Sequence, residues 1–164
     1  MLDRYRGRGP RTNAGRQRTL ARLVAEARRL SAESRVANGT DGPRVLVVDD
    51  DALLRDALRL LLDELGAEVT EAAGGAEAIV HLQAGRFDLV LCDLRMPDVD
   101  GFAVIRWIRD DPRSQDVPVV AVSAVGPGAG PDRLREAGFD AQLHKPFDLD
   151  DLVDALDSAN RRAA

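Results

Sequence analysis

From Arg44 onward, short apolar runs alternate with helical patterns, and this alternation restricts the fold more than any other feature of the chain. The strand-like runs cover about residues 44–48, 67–71, 87–92, 117–122 and 140–144. The helical patterns cover about residues 52–65, 75–84, 101–110, 131–137 and 148–160. Such alternation is typical of βαβ units. Right-handed crossovers then place helices on both faces, which predicts an α/β fold with a doubly wound, five-stranded parallel sheet.

Charged residues follow three of the strand-like runs. Asp49 and Asp50 come after the first run, Asp93 after the third and Lys145 after the fifth. Because open α/β sheets bind ligands at the carboxyl ends of their strands, we expect these residues to form one charged pocket. Lys145 is the only lysine beside 22 arginines. Its compact ammonium group suits a single phosphoryl oxygen.

The charge distribution divides the chain into two parts. Residues 1–42 contain ten arginines and four acidic residues, a net charge of +6, so residues 43–164 carry −11 of the total of −5. We expect residues 1–19 to be disordered because they are rich in Arg and Gly. A short helix is predicted at about 18–36, before a Gly/Pro linker. The predicted organisation is a basic extension at 1–42 and an α/β domain at 43–164, with no room for a C-terminal output domain.

The composition also restricts location and partners. No apolar stretch approaches the ~18 residues of a membrane span, and the amino terminus lacks the apolar core of a signal peptide. Cys92 is the only cysteine and has no disulfide partner within the chain. We therefore expect a cytoplasmic protein that does not bind membranes. The arginines of the extension could attract nucleic acid, but no recognition motif accompanies them, which favours a solvated or protein-binding extension.

Four elements occur together in a fixed order, with Ser123 lying 30 residues and Lys145 52 residues after Asp93. They are Asp49-Asp50-Asp51, the segment Cys92–Gly101, Ser123-Ala124 and Lys145-Pro146-Phe147. With these elements, residues 44–160 resemble the receiver domain of bacterial two-component response regulators. The stretch from Ala137 to Pro146, with the polar Gln142, is similar to the receivers of hybrid sensor kinases. The resemblance implies a flavodoxin-like sheet with the strand order 2-1-3-4-5.

The resemblance also implies a single-domain response regulator. Asp93 would accept a phosphoryl group from a phosphohistidine of a histidine kinase or phosphotransfer protein, and the protein would then change its contacts with a downstream protein target. Lys145 would stabilise the phosphoryl oxygens, and the Ser123 hydroxyl would turn toward them. Such a protein is a phosphoacceptor that assists its own phosphorylation and dephosphorylation, not an enzyme with a separate substrate.

A carboxylate is a weak nucleophile, so the reaction needs a divalent cation. Mg²⁺ fits a site of oxygen ligands because it keeps several waters. The ligands that the resemblance implies are the carboxylates of Asp50 and Asp93 and the backbone carbonyl of Arg95, with Asp49 binding directly or through water. For Asp51, capping of the first helix is at least as good an interpretation as a role in metal binding.

Other residues near the strand ends have simpler interpretations. Ser123 could be an ordinary strand-end hydroxyl. Cys92 should point away from the pocket, because strand side chains alternate between faces and Asp93 points into it. His81 and His144 match no metal-ligand pattern, and we assign them no catalytic role.

The chain departs from the family pattern at two places. Gln142 stands where the family usually has Tyr or Phe, the ring that moves with the hydroxyl at Ser123. Residues 126–131 are Gly/Pro-rich where the fourth helix should begin, and these residues disfavour helix. We therefore expect phosphorylation to order about residues 123–132, with little change at Gln142.

Two other functions stay open. A phosphorylation-independent scaffold would have the same fold. Phosphatases of the haloacid dehalogenase type also use an Asp nucleophile, Mg²⁺ and Lys, but they resemble Asp-x-Asp-x-Thr after the first strand, whereas Asp93 follows the third and precedes Leu94-Arg95-Met96-Pro97. A small-molecule phosphodonor with Mg²⁺ would separate the three, since a switch takes up one phosphoryl group, a phosphatase turns over and a scaffold does not react.

Overall fold

Parallel strands alternate with helices through the described part of the chain. A computed structural model describes residues 43–124 and 130–163, with side chains described up to residue 156. The predicted basic extension at 1–42, including its short helix, lies outside the described residues.

The described residues contain five strands and five helices. The strands are β1 (Arg44–Val48), β2 (Glu68–Ala72), β3 (Leu89–Asp93), β4 (Val119–Ala124) and β5 (Ala141–Lys145). The helices are α1 (Ala52–Glu64), α2 (Gly75–Ala84), α3 (Gly101–Asp110), α4 (Pro131–Ala137) and α5 (Leu149–Ala163). All ten elements were predicted, but β3 and β4 lie further along the chain than their apolar runs indicated. Asp93 and Ser123 are therefore strand residues.

The sheet has the strand order β2-β1-β3-β4-β5, and every neighbouring pair is parallel. This confirms the predicted fold class. Because β1 and β3 are neighbours in register, with Val48 opposite Cys92, the residues that follow Val48 lie beside the end of β3. The topology therefore brings together acidic residues that are more than 40 positions apart in sequence.

Alternating strand side chains form one apolar layer on each face of the sheet. The layer under α1 and α5 contains Val45, Val47, Leu91, Val122 and Leu143 with the helix residues Leu58, Leu62 and Leu152. The layer under α2, α3 and α4 contains Leu46, Val48, Val90, Cys92 and Ala121 with Ala78, Val104, Ile105 and Leu134. Cys92 is thus buried in the second layer, as predicted. Burial, and next the charge of Asp93, raises the pKa of its thiol, which keeps the sulfur protonated and unreactive.

Arg109, at the end of α3, fixes the start of β4 beside the start of β5. Its guanidinium donates to the carbonyls of Gln115, Val117 and Gly138 at 2.6–3.0 Å and to the carboxylate of Asp140 at 2.8 Å. Asp140 also accepts the backbone N–H of Val119 at 2.8 Å. This network holds the two strands in the register that brings their carboxyl ends, with Ser123 and Lys145, to the edge of the pocket.

The fourth helix begins at Pro131, where a proline ring costs no helical hydrogen bond. Gly130, the residue before it, is extended, with φ −64° and ψ 153°. The rest of the Gly/Pro stretch, residues 126–129, lies outside the described residues. Among the described helices, none has the length and apolar character that crossing a membrane requires.

Candidate functional site

An acidic cluster lies at the carboxyl edge of the sheet, between β1 and β3. Asp49, Asp50 and Asp93 each offer a carboxylate oxygen, and these oxygens lie within 4.8 Å of one another. Asp49 and Asp93 are buried, whereas Asp50 is exposed. The structure thus brings together the three carboxylates that the sequence placed at one edge. One side of the cluster is open to solvent through Asp50.

Lys145 reaches this cluster from the end of β5. Its Nζ donates to Oδ2 of Asp49 at 2.8 Å and to Oδ1 of Asp93 at 3.4 Å. Burial alone would lower the pKa of Lys145, but the hydrogen bond and charge of Asp49, together with those of Asp93, raise it above its ordinary value. The ammonium group is therefore charged at neutral pH and lies between two buried carboxylates.

The surroundings of Asp93 destabilise the ionised form of its carboxyl group. Burial raises its pKa above the ordinary 3.8, and the charge of Asp49 raises it further. Lys145 and a backbone hydrogen bond from Arg95 offset part of this rise. The backbone of Arg95 is therefore at the site, although its observed contact is a hydrogen bond to Asp93. The role predicted for its carbonyl as a metal ligand stays a prediction.

Asp49 is held through both its side chain and its backbone. Its Oδ1 accepts the N–H of Asp51 at 2.8 Å, so both carboxylate oxygens have partners. Its backbone carbonyl accepts a hydrogen bond from Nη1 of Arg55 at 2.7 Å. Arg55 in turn pairs with Glu71 on β2 at 3.5 Å. The sequence carries no signal for this role of Arg55, because nothing in a helix pattern distinguishes an arginine that turns back toward a strand end.

Asp51 caps α1. Its side chain accepts the backbone N–H groups of Leu53 and Leu54, at 3.0 and 3.4 Å. This contact confirms the capping interpretation, and the cluster of carboxylates that could share a cation does not include Asp51.

The segment after Asp93 packs tightly against the end of β3. Gly101 lies against the backbone of Asp93 and Leu94, so that a Cβ at this position would overlap the Asp93 carbonyl oxygen. Asp100 caps α3 by accepting the N–H of Ala103 at 2.8 Å. The glycine is required for close approach, and it fixes the phosphoacceptor candidate relative to the start of α3.

Ser123 makes a contact that the sequence did not reveal. The residue is buried near the end of β4, and its Oγ accepts a hydrogen bond from Nε2 of Gln142 at 3.0 Å. The two residues are 19 positions apart on neighbouring strands. The sequence points to each residue separately, to Gln142 only because it stands at a usually aromatic position, and nothing in it indicates that the two are paired.

The chemistry of the cluster suits a cation. Three carboxylates and one ammonium group leave an excess of negative charge, and burial together with Asp49 already penalises the ionised form of Asp93. Carboxylate oxygens are hard ligands for small divalent ions. These residues could therefore hold a metal ion that relieves the repulsion.

Comparison with known proteins identifies the family of this fold and site. The family model described as the response regulator receiver domain matches residues 45–157. The polar-differentiation response regulator DivK of Brucella anthropi is 31% identical over 114 residues, which cover 70% of this chain and 93% of DivK. The gliding motility regulatory protein of Myxococcus xanthus is 35% identical over 136 residues, 82% of this chain but 18% of that protein. The transcriptional regulator RpaA of Synechocystis is 34% identical over 123 residues, and the chain spans 50% of its length.

Solved structures agree with these relatives. A putative response regulator from Chloroflexus aurantiacus superposes with a TM-score of 0.68 at 31% identity, covering 73% of this chain and 98% of that one. The chemotaxis protein CheY4 of Vibrio cholerae superposes with a TM-score of 0.65 at 28% identity, covering 71% of this chain and 98% of CheY4. The chain belongs to the family of bacterial response regulator receiver domains.

Proposed function

We propose that the protein is a phosphorelay switch in which Asp93 accepts a phosphoryl group from a phosphohistidine of a histidine kinase or phosphotransfer protein. One observation carries the proposal. Asp93 is a buried carboxylate at a strand end, with the Lys145 ammonium 3.4 Å away and two further carboxylates within 4.8 Å. An acidic residue that is merely solvated at a strand end would not be buried beside a lysine and two other carboxylates.

In the transfer, a carboxylate oxygen of Asp93 bonds to phosphorus as the bond from phosphorus to the donor's imidazole nitrogen breaks. The product is an acyl phosphate on Asp93 and a free imidazole on the donor. Lys145 already lies between Asp49 and Asp93, so its ammonium can stabilise charge on the phosphoryl oxygens with little rearrangement. Asp49 orients Lys145 through the shorter of the two contacts.

The carboxylates of Asp50 and Asp93, the carbonyl of Arg95 and Asp49, directly or through water, would hold Mg²⁺. Bound there, the ion would neutralise charge on the transferring phosphoryl group and help to align it. The exposed position of Asp50 supports this assignment, because Mg²⁺ keeps several of its waters and needs an open side. The Ser123 hydroxyl, at the end of the neighbouring strand, would turn to the phosphoryl group once it is in place.

The consequence of phosphorylation would be a change in contacts with a downstream protein target. We place this activity in the cytoplasm, where kinase and phosphotransfer domains have access to it. We do not expect nucleic acid to be the direct target, because residues 43–164 carry a net charge of −11 and no recognition motif accompanies the arginines of residues 1–42. A phosphorylation-independent scaffold is the alternative, and a haloacid-dehalogenase-like phosphatase is a more distant one.

The experiment is to treat the full chain with acetyl phosphate and Mg²⁺ and to weigh it intact. The wild type should gain one phosphoryl group, and Asp93→Asn should gain none while staying folded. Asp98→Asn is the matched control, since Asp98 is an exposed aspartate five residues away whose positive φ of 66° asparagine tolerates. This control should be phosphorylated normally.

Removal of the divalent ion with EDTA should prevent uptake by the wild type. Equal uptake by wild type and Asp93→Asn would overturn the assignment of the phosphoacceptor. A wild type that takes up nothing in the presence of Mg²⁺ would support the scaffold, and sustained turnover of phosphodonor by Asp93→Asn would support a different catalytic site.

A further inference from the structure

The hydrogen bond between Gln142 and Ser123 joins the edge strand of the sheet to the candidate site. Gln142 Nε2 donates to Ser123 Oγ at 3.0 Å, and the serine is 5% exposed. In register, Gln142 lies opposite Ala121, whereas Ser123 lies opposite His144. The glutamine side chain therefore leans two positions along the strand to reach the hydroxyl, a diagonal contact that only a long side chain can make.

Strand alternation shows which way this contact holds the hydroxyl. Ala121 packs in the layer under α2, α3 and α4, and Ser123, two residues later on the same strand, continues that face. Leu91 and Leu143 belong to the opposite layer, under α1 and α5. Asp93 comes two residues after Leu91 on β3, and Lys145 comes two residues after Leu143 on β5. Ser123 therefore starts on one face of the sheet and the Asp93–Lys145 pair on the other.

We propose that Gln142 is a positioning residue that holds the Ser123 hydroxyl in the unphosphorylated protein, through a bond that breaks when the hydroxyl turns toward a phosphoryl group on Asp93. This inference rests on the proposed function and adds a regulatory contact to it. In place of an aromatic ring that moves into a vacated space, this chain uses an amide that is exchanged for a phosphoryl oxygen as the partner of the serine.

The free energy of this hydrogen bond predicts which conformation the loss of the Gln142 amide would favour. No buried polar side-chain atom among the described residues lacks a hydrogen-bond partner, so the hydroxyl gives up a satisfied bond when it turns. Removing the amide takes this stabilising bond from the resting state only, because in the phosphorylated conformation the hydroxyl has already left the amide and donates to a phosphoryl oxygen instead. Loss of the Gln142 amide should therefore favour the phosphorylated conformation.

The test uses the full chain with Mg²⁺ and beryllofluoride, a phosphoryl mimic. Gln142→Met keeps an unbranched side chain of similar length without the amide donor, and Gln83→Met makes the same change at an exposed position of α2. We expect Gln142→Met to bind beryllofluoride between about twofold and tenfold more tightly than wild type, the range for one neutral hydrogen bond. Gln83→Met should bind it like the wild type.

We call the hydrogen bond from Gln142 to Ser123 the latch. A double-mutant cycle with Ser123→Ala separates an effect of the latch from a general effect on the fold. The gain in affinity caused by Gln142→Met should disappear in the Ser123→Ala background, because no hydroxyl is left to release. In the uncomplexed protein, Ser123→Ala should also shift the side-chain NH₂ signals of Gln142 in ¹⁵N-correlated NMR spectra.

Unchanged or weaker beryllofluoride binding by Gln142→Met would overturn the latch alone, provided that the wild type binds the mimic. The same gain in the presence and absence of the serine hydroxyl would also overturn it. A wild type that does not bind the mimic at all would overturn the proposed function and the latch together.

Discussion

Replacing Asp93 by asparagine should make the metal-free protein more stable at neutral pH, although it removes the proposed phosphoacceptor. The residue is 6% exposed, and the pKa of its carboxyl group is raised by burial and by the charge of Asp49. Asparagine has nearly the same shape, carries no charge, and keeps a carbonyl oxygen that can accept from Lys145. The substitution therefore removes a buried charge without opening a cavity.

The contacts indicate how large the gain should be. The carboxylate oxygens of Asp49 and Asp93 lie at most 4.8 Å apart. At that distance and an effective dielectric constant of about 20, their charges repel by about 3.5 kcal/mol. The Lys145 contact of 3.4 Å gives an attraction of about 5 kcal/mol on the same scale. The attraction and repulsion largely cancel, so the cost of burying the carboxylate decides the sign. We expect Asp93→Asn to raise the free energy of unfolding by about 1–2 kcal/mol.

The pH dependence of this gain follows from the direction of the pKa shift. The folded-state pKa of Asp93 lies above the unfolded value of 3.8, so between the two the folded protein binds more protons. The contribution of Asp93 to the wild-type free energy of unfolding therefore falls as pH rises through that window. Asparagine does not titrate there. The stability difference between variant and wild type should grow as pH rises above 3.8 and level off once Asp93 is ionised.

Urea unfolding followed by circular dichroism, in EDTA and at several pH values, measures the difference. Asp98→Asn, an exposed control, should change stability by less than about 0.5 kcal/mol. Adding Mg²⁺ at ten times its dissociation constant should stabilise the wild type by about 1.4 kcal/mol and Asp93→Asn by less. A metal-free Asp93→Asn protein that is less stable than wild type at neutral pH would refute the reasoning, because the carboxylate would then be a net stabilising group.

Three further predictions concern the surroundings of the site. Lys145→Arg should slow phosphorylation by acetyl phosphate about tenfold despite the conserved charge, because a planar guanidinium does not replace a compact ammonium in a confined pocket; a normal rate would contradict this. Arg55→Met should lower the free energy of unfolding by about 1–2 kcal/mol and weaken Mg²⁺ binding in calorimetric titrations, whereas Arg59→Met, at a more exposed ion pair, should do neither. Gly101→Ala should lower the unfolding free energy by about 2 kcal/mol or more because its Cβ would overlap backbone, and Gly74→Ala, which has open space around it, should cost little.

Sequence patterns were sufficient for the fold because period and topology are local and general constraints. Each apolar run and helical pattern became the predicted element, and parallel pairing then fixed which strand ends meet. The main error was the placement of β3 and β4, whose apolar runs start before the strands do. Residues 87–88 and 117–118 lie before the strands. A prediction from hydrophobicity alone therefore began each strand too early and ended it before Asp93 and Ser123.

The site was predictable to the extent that strand ends determine it. Asp49, Asp93 and Lys145 meet because three parallel strands end at one edge, and the carboxylate–ammonium contacts follow from that placement. Arg55 and Gln142 were different. Their contacts depend on which rotamer a long side chain adopts, and a single sequence carries no signal for that choice.

The contact between Gln142 and Ser123 also changes what should be measured when the switch operates. A hydrogen bond weakens steeply once donor and acceptor lose alignment, so rotation of one serine side chain is enough to release the amide without moving the β5 backbone. Backbone amide exchange at Gln142 should therefore change little with beryllofluoride, while protection in about residues 123–132 increases, as the sequence predicts. The side-chain NH₂ group of Gln142 should respond in the same experiment. If the largest change in backbone protection lies in β5, the strand itself moves, and release of the amide would not be the step that transmits phosphorylation.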